Sequence, residues 1–203
     1  MEKYIYIAVA IAALFFFIVV IIRICRIADR HVNEKAARAA GRQGEKFATT
    51  IIKEVLREGD YLFTNVSVEY DGKETELDNV IVNRNGVFII EVKNYHGTLY
   101  GREKDFEWKK YHITPAGNMY EKDVKNPIKQ VNRQVYILSR NLSGRGISVW
   151  VEGYVFFVMN NSPVKSRFIL ESRNDIDRAI HNNAGQSDKK TVKEIVDFLS
   201  EKI

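Results

Sequence analysis

Asp78, Glu91 and Lys93 sit in two adjacent apolar, strand-like runs, residues 75–83 and 86–95. Two carboxylates held side by side favour a hard cation such as Mg²⁺ or Mn²⁺, which takes oxygen ligands and keeps several of its waters. A lysine does not ligate that ion. Placed beside it, an amino group orients or helps deprotonate an attacking water and offsets charge developing on a phosphate. Two acids and a lysine are therefore a coherent hydrolytic set.

The dipeptide Asn85-Gly86 between the runs predicts a two-residue hairpin turn. That register sets Asp78 across from Lys93 and Val80 across from Glu91, with all four on one side of the sheet. Asp78 and Glu91 are then diagonal neighbours, about 7 Å apart between backbones. A slip of one residue would send Asp78 to the opposite face. Ile81, Val82, Phe88, Ile89, Ile90 and Val92 make this a core hairpin, where an unpaired carboxylate is costly and needs a partner. The same spacing also suits a buried ion pair between Asp78 and Lys93, with Glu91 at a solvated strand end.

Other elements must position this set. From Gly41 to about Gly59 the pattern is amphipathic, with Glu45, Ala48, Ile52 and Val55 on one helical stripe. Glu45 there is either a third carboxylate or a charge that favours the helix dipole. Asn126-Pro127 predicts a helix start, and Ile128, Val131, Val135, Leu138 and Leu142 recur at helical spacing. Gln130, one turn in, is placed to contact a phosphate or a site water, or is simply a surface amide. Lys125, Lys129, Arg133 and Arg140 form either an electropositive approach for a polyanion or a solvated face. Residues 61–70 read as a strand ending at an Asp71-Gly72 turn, 97–113 as an additional hairpin, and the segment around Pro115 and Gly117 as a loop. Residues 149–159 suit a strand buried on both faces, 168–170 a short strand, and 187–202 a closing helix.

The chain has 203 residues, 45% of them hydrophobic, and a net charge of +5, which argues for one sizeable core and against a polycationic tail. The single Cys25 excludes an internal disulfide and a multi-thiolate zinc site. It sits where a palmitoylated cysteine would, though its position alone favours a plain interfacial one. No GxSxG, GxxxxGK[ST] or GxGxxG motif occurs, and the four histidines lack metal-ligand spacing. Residues 4–22 carry no charge and are long enough as a helix, about 30 Å, to span a bilayer. Arg23, Arg26, Arg30, Lys35, Arg38 and Arg42 follow, so the positive-inside bias predicts a cytoplasmic carboxyl-terminal domain. Residues 23–40 read as a helical juxtamembrane stalk.

Several separated segments occur together in one order: Gly41-Arg-Gln-Gly-Glu45; Glu76-Leu-Asp78-Asn-Val-Ile-Val; Gly86-Val-Phe-Ile-Ile-Glu91-Val-Lys93-Asn94-Tyr95; Gly97, Gly101 and Trp108; and Asn126-Pro127-Ile-Lys-Gln130. Residues 41–159 thereby resemble the NERD, or nuclease-related, domain. The resemblance implies the α/β, restriction-endonuclease-like fold of PD-(D/E)xK nucleases, a central mixed β-sheet flanked by helices, here preceded by one N-terminal transmembrane helix. It implies Asp78 and Glu91 as metal ligands, Lys93 as the catalytic lysine, Glu45 as the first-helix carboxylate and a further ligand, and Gln130 as an accessory site residue. The expected layout is a transmembrane helix at 4–22, a stalk at 23–40, the nuclease-like domain at 41–160 and a carboxyl-terminal extension packing on the core at 161–203. The expected activity is Mg²⁺- or Mn²⁺-dependent hydrolysis of nucleic acid, DNA before RNA, by a membrane-anchored enzyme. The alternatives are a non-catalytic tethered module that binds nucleic acid or protein, and a structural membrane protein assembling through its stalk.

Overall fold

The computed structural model describes residues 2–113, 117–182 and 185–203, except the side chains of 2–14, 29, 30, 32 and 33. It divides into two units, Met1–Arg42 and Gln43–Ile203. Helix α1 (Glu2–Val55) is continuous, so the amphipathic helix expected from Gly41 is its last part. Residues 23–42 are rich in Ala, Arg and other good helix formers and contain no proline to stop it.

In the first unit, Phe15, Phe16, Phe17 and Ile24 are exposed, and Arg38 pairs with Glu34 one turn away at 3.6 Å. Among the described residues no helix is long and apolar enough to cross a membrane. The transmembrane helix expected at 4–22 therefore has no support in the structure, and the side chains of its residues 4–14 lie outside those described.

The second unit is built on a five-stranded sheet. Strands β1 (Tyr61–Tyr70), β2 (Lys73–Asn83) and β3 (Gly86–Lys93) form an antiparallel meander. Between β3 and its next partner the chain makes a small antiparallel sheet from β4 (Thr98–Tyr100), β5 (Glu107–Ile113) and β6 (Met119–Lys125), then helix α2 (Pro127–Gly144). It returns as β7 (Val151–Phe157), parallel to β3, and β8 (Ile169–Leu170) adds in parallel beyond it. Helices α3 (Arg173–His181) and α4 (Lys189–Ser200) follow. This is the expected mixed sheet flanked by helices.

Each face of the sheet has its own core. On one, Val80, Val82, Val87, Ile89, Val155 and Phe157 pack with Ile128, Val131, Ile137 and Leu138 of α2 and Ile195 and Leu199 of α4. On the other, Ile81, Phe88, Ile90 and Phe156 pack with Ala48, Ile52 and Val55 of α1 and Ile176 and Ile180 of α3. Alternate residues of β2 and β3 thus serve opposite cores, which explains the unbroken apolar runs at residues 80–82 and 87–90.

The first turn follows the sequence signal: Asp71 and Gly72 both have positive φ, 53° and 67°, and Tyr70 pairs with Lys73, the geometry of a primed hairpin turn. The second turn departs from it. Asn83 pairs with Gly86, so Arg84 and Asn85 are the loop residues. The Asn83 side chain accepts from the Asn85 backbone N at 2.8 Å, and Asn85 Nδ2 donates to the Ile180 and His181 carbonyls of α3. Contacts distant in sequence hold Asn85 at the tip.

Two elements escape the sequence patterns. Strand β6 is mostly charged and exposed, and is held by pairing with β5 and by Lys109, which bridges Glu121 and Asp123 at 2.7 Å each. Helix α3 buries only Ile176 and Ile180, and is started by Ser172, whose side chain accepts from Asp175 N.

Candidate active site

Asp78 stands at an irregularity in β2. Thr64 pairs with Asn79 and Val66 with Leu77, yet the intervening Asn65 and Asp78 drop out of the ladder, and Asn65 has a φ of 54°. Strict alternation would send Val66 and Leu77 to the face opposite Phe63 and Val80, but all four belong to one core. The pleat is reset at Asn65 and Asp78. The Asp78 carboxylate, released from the regular pattern, accepts from the Val92 backbone N of β3 through Oδ2 at 2.8 Å.

The observed register corrects the expected one. Val80 pairs with Ile89 and Asn79 with Ile90, which by extension puts Asp78 across from Glu91 rather than Lys93. The turn lies one residue earlier than expected, which shifts the pairing by two, an even number, and so preserves which face each β3 residue serves. The alternative of an Asp78–Lys93 pair with a solvated Glu91 does not hold: Glu91 is 2% exposed, and Lys93 Nζ bonds to Glu91 Oε1.

Helix α2 completes the grip on Glu91. Gln130 Nε2 donates to Oε1 at 2.6 Å, and Gln134 Nε2 donates to Oε2 at 2.6 Å and to the Glu76 carbonyl at 3.0 Å. Residues one turn apart on one helix face thus hold both oxygens of one carboxylate. Gln130 was legible beside the apolar stripe. Gln134 escaped because it lies four residues further on the same face, where spacing alone does not distinguish it from a surface amide. It is fully buried, and its Oε1 lacks a hydrogen-bond partner among the described residues.

Helix α1 approaches from the other side. A Cβ on Gly44 would lie 2.5 Å from Asn94 Cβ, so only glycine admits this closeness of α1 to the chain leaving β3. Glu45, the next residue, is half-buried, and its charge is felt at Asp78. Among the described residues no group of three or more His, Cys, Asp or Glu side chains is placed to hold a metal ion. Glu45 is therefore not joined with Asp78 and Glu91 into a three-carboxylate site.

Electrostatics follow from this crowding. Burial and then the neighbouring Glu91 charge push Asp78 up to about 7, against the opposing Val92 hydrogen bond and Lys93. Burial disfavours the Lys93 ammonium, but Glu91 and Tyr95 outweigh it and hold the group above the ordinary lysine range. Burial likewise raises the Tyr95 phenol, with Lys93 opposing. Tyr95, the last residue of the motif that ends β3, packs edge-on against Phe157 and carries Lys110 over its ring at 5.6 Å, which makes it a wall of the site.

The donor set fits a hard dication. Asp78 Oδ1 and one lone pair on Glu91 Oε2 have no hydrogen-bond donor among the described residues, and two adjacent carboxylates are the ligands Mg²⁺ commonly takes while keeping its waters. Positive charge there would relieve the repulsion that lifts Asp78.

The model of the nuclease-related domain matches residues 40–158. The chain belongs to the NERD family. Its match includes Glu45, Asp78, Glu91, Lys93, Gln130 and Gln134, and is consistent with a place among the PD-(D/E)xK nucleases. An uncharacterized protein of Bacillus anthracis is 34% identical over 79 residues, covering 38% of this chain and 37% of that protein. The aligned part is thus well under half of that relative's length. No solved structure matches this NERD chain.

Proposed function

We propose that this NERD protein is a divalent-metal-dependent phosphodiesterase acting on nucleic acid, with DNA as its substrate. The observation that carries the reading is the convergence of Asp78, Glu91 and Lys93 from adjacent strands, with Gln130 and Gln134 orienting Glu91. Asp78 and Glu91 would hold Mg²⁺ or Mn²⁺, with Glu45 on α1 as a neighbouring charge rather than a third ligand. Such an ion, when bound, supplies a Lewis acid for the phosphate and lowers the pKa of a bound water. Lys93, held against Glu91, is placed to donate to a phosphate oxygen as charge develops there. Gln130 and Gln134 fix the Glu91 carboxylate so that its remaining acceptor position has one direction.

The uncharged run at residues 4–22 and its basic flank support, from sequence alone, a membrane tether with the NERD domain in the cytoplasm. Carbonate extraction of cell membranes and protease accessibility test that part separately.

A second reading, a non-catalytic nucleic-acid- or protein-binding module, is favoured by the extent to which Glu91 is satisfied within the protein. Calorimetry with Mg²⁺ and Mn²⁺ discriminates the two: binding that disappears in Asp78→Ala supports the enzyme. The direct test is cleavage of labelled DNA. Activity that requires divalent metal and vanishes in folded Asp78→Ala and Lys93→Ala variants is the expected result. Equal cutting by these variants would overturn the mechanism.

A further inference from the structure

Beside the candidate active site lies a second feature, a cavity of about 640 Å³ lined by Thr75, Phe106, Glu107, Lys125, Asn126, Lys129, Gln130 and Arg133. Gln130 belongs to both places: its amide donates to Glu91, and its side chain also borders this cavity. Three cations, Lys125, Lys129 and Arg133, outnumber the carboxylate of Glu107 in its wall. That balance suits a run of phosphates.

Phe106 makes the cavity more than a basic patch. Phe106 is 85% exposed immediately before β5, an unfavourable place for so large an apolar side chain. The backbone beneath it is fixed. Asn126 N donates to the Phe106 carbonyl at 3.0 Å, and Asn126 Nδ2 donates to the Asp105 carbonyl at 2.7 Å. Lys129 Nζ stands 5.9 Å from the ring centroid, so a cation is already stationed beside the aromatic surface. A rigidly mounted, open aromatic ring bordered by cations is the arrangement on which an unstacked base lies while its phosphates are neutralised. A paired base inside a duplex offers no free face to such a ring.

Resting on the phosphodiesterase reading, we infer that this cavity is a nucleotide subsite for single-stranded nucleic acid: Phe106 stacks a base, and Lys125, Lys129 and Arg133 hold phosphates of the strand that continues past Gln130 to Glu91. The substrate is then a single strand, an overhang or a frayed end rather than intact duplex.

The test is fluorescence anisotropy with the full chain in EDTA, where no cleavage intervenes, using short labelled oligothymidylate, oligouridylate and a blunt DNA duplex. Phe106→Ala is expected to weaken single-strand binding about tenfold and duplex binding less than about twofold, and Phe106→Tyr to restore the single-strand affinity. Lys129→Ala should weaken binding and flatten its dependence on salt. Loss on either oligonucleotide or on both supports the subsite and identifies the sugar it takes. No loss on either, or an equal loss on duplex, overturns it. Because Phe106 is exposed, its removal leaves the cores intact, and circular dichroism verifies this. Binding that depends on Phe106 without any metal-dependent cutting would refute the phosphodiesterase reading while leaving the subsite standing. Cutting that is indifferent to Phe106 would do the reverse.

Discussion

Gln134 Nε2 donates to Glu91 Oε2 at 2.6 Å, while the Oε1 of the same amide has no hydrogen-bond partner among the described residues. A buried amide that leaves its own acceptor unsatisfied in order to hold a carboxylate has been placed for that carboxylate. Gln134→Ala removes a hydrogen bond to a buried charged group and is expected to lower unfolding free energy by about 1.5–3 kcal/mol. Denaturant unfolding of the metal-free protein checks it. A wild-type midpoint in the variant would mean that Gln130 and Lys93 suffice to hold Glu91.

Asp78 is expected to set stability against activity. Its carboxylate is buried and crowded by Glu91, so Asp78→Asn removes a desolvated, repelled charge and should raise the melting temperature of the metal-free protein near pH 8. The same change should reduce metal-dependent cleavage at least about a hundredfold, since the amide is a poor substitute for an anionic ligand. Scanning calorimetry and a DNA cleavage assay on one preparation read both. A variant that is both destabilised and active would contradict the assignment.

The Asp78 shift also fixes a direction for pH. The ordinary value for this group is 3.8 and the folded value about 7, so the folded state binds more protons than the unfolded state between them. The stabilisation is fully present below the lower value and is lost as pH rises through the upper one. Metal-free protein should therefore lose stability from mildly acidic pH to beyond neutrality, and Asp78→Asn should flatten that slope. Thermal melts in EDTA across this range provide the measurement.

Asn126 carries a different load. Its Oδ1 accepts from Ile128 N at 2.9 Å to cap α2, and its Nδ2 donates to the Glu103 and Asp105 carbonyls at 2.9 and 2.7 Å. Asn126→Ala loses a cap and strands buried carbonyls, at a cost of about 2–4 kcal/mol. Asn126→Asp keeps the cap and loses the donors, and should fall between. Urea unfolding of the two variants separates the contributions.

Much of this arrangement was legible because it depends on local chemistry. Asp71-Gly72 and Asn126-Pro127 specify a turn and a helix start from their own conformational limits, and the apolar runs identify the central strands. The pairing of Asp78 with Glu91 was misplaced by two residues because Asn83 and Asn85 are held by α3, an element nearly a hundred positions away in the chain. The pleat reset at Asn65 and Asp78 shows in sequence only as a change of phase, Phe63 before it and Val66 and Val68 after it, too short a signal to mark a face by itself. Strand β6 and helix α3 bury too little apolar surface to announce themselves. Gln134 is a site residue only because α2 lies across the end of β3.

The attachments of Asn126 have a mechanical consequence. One side chain ties the loop carrying Phe106 to the first turn of a helix whose next two turns clasp Glu91. Tension on that loop would be transmitted to the acidic centre as through a short, stiff lever.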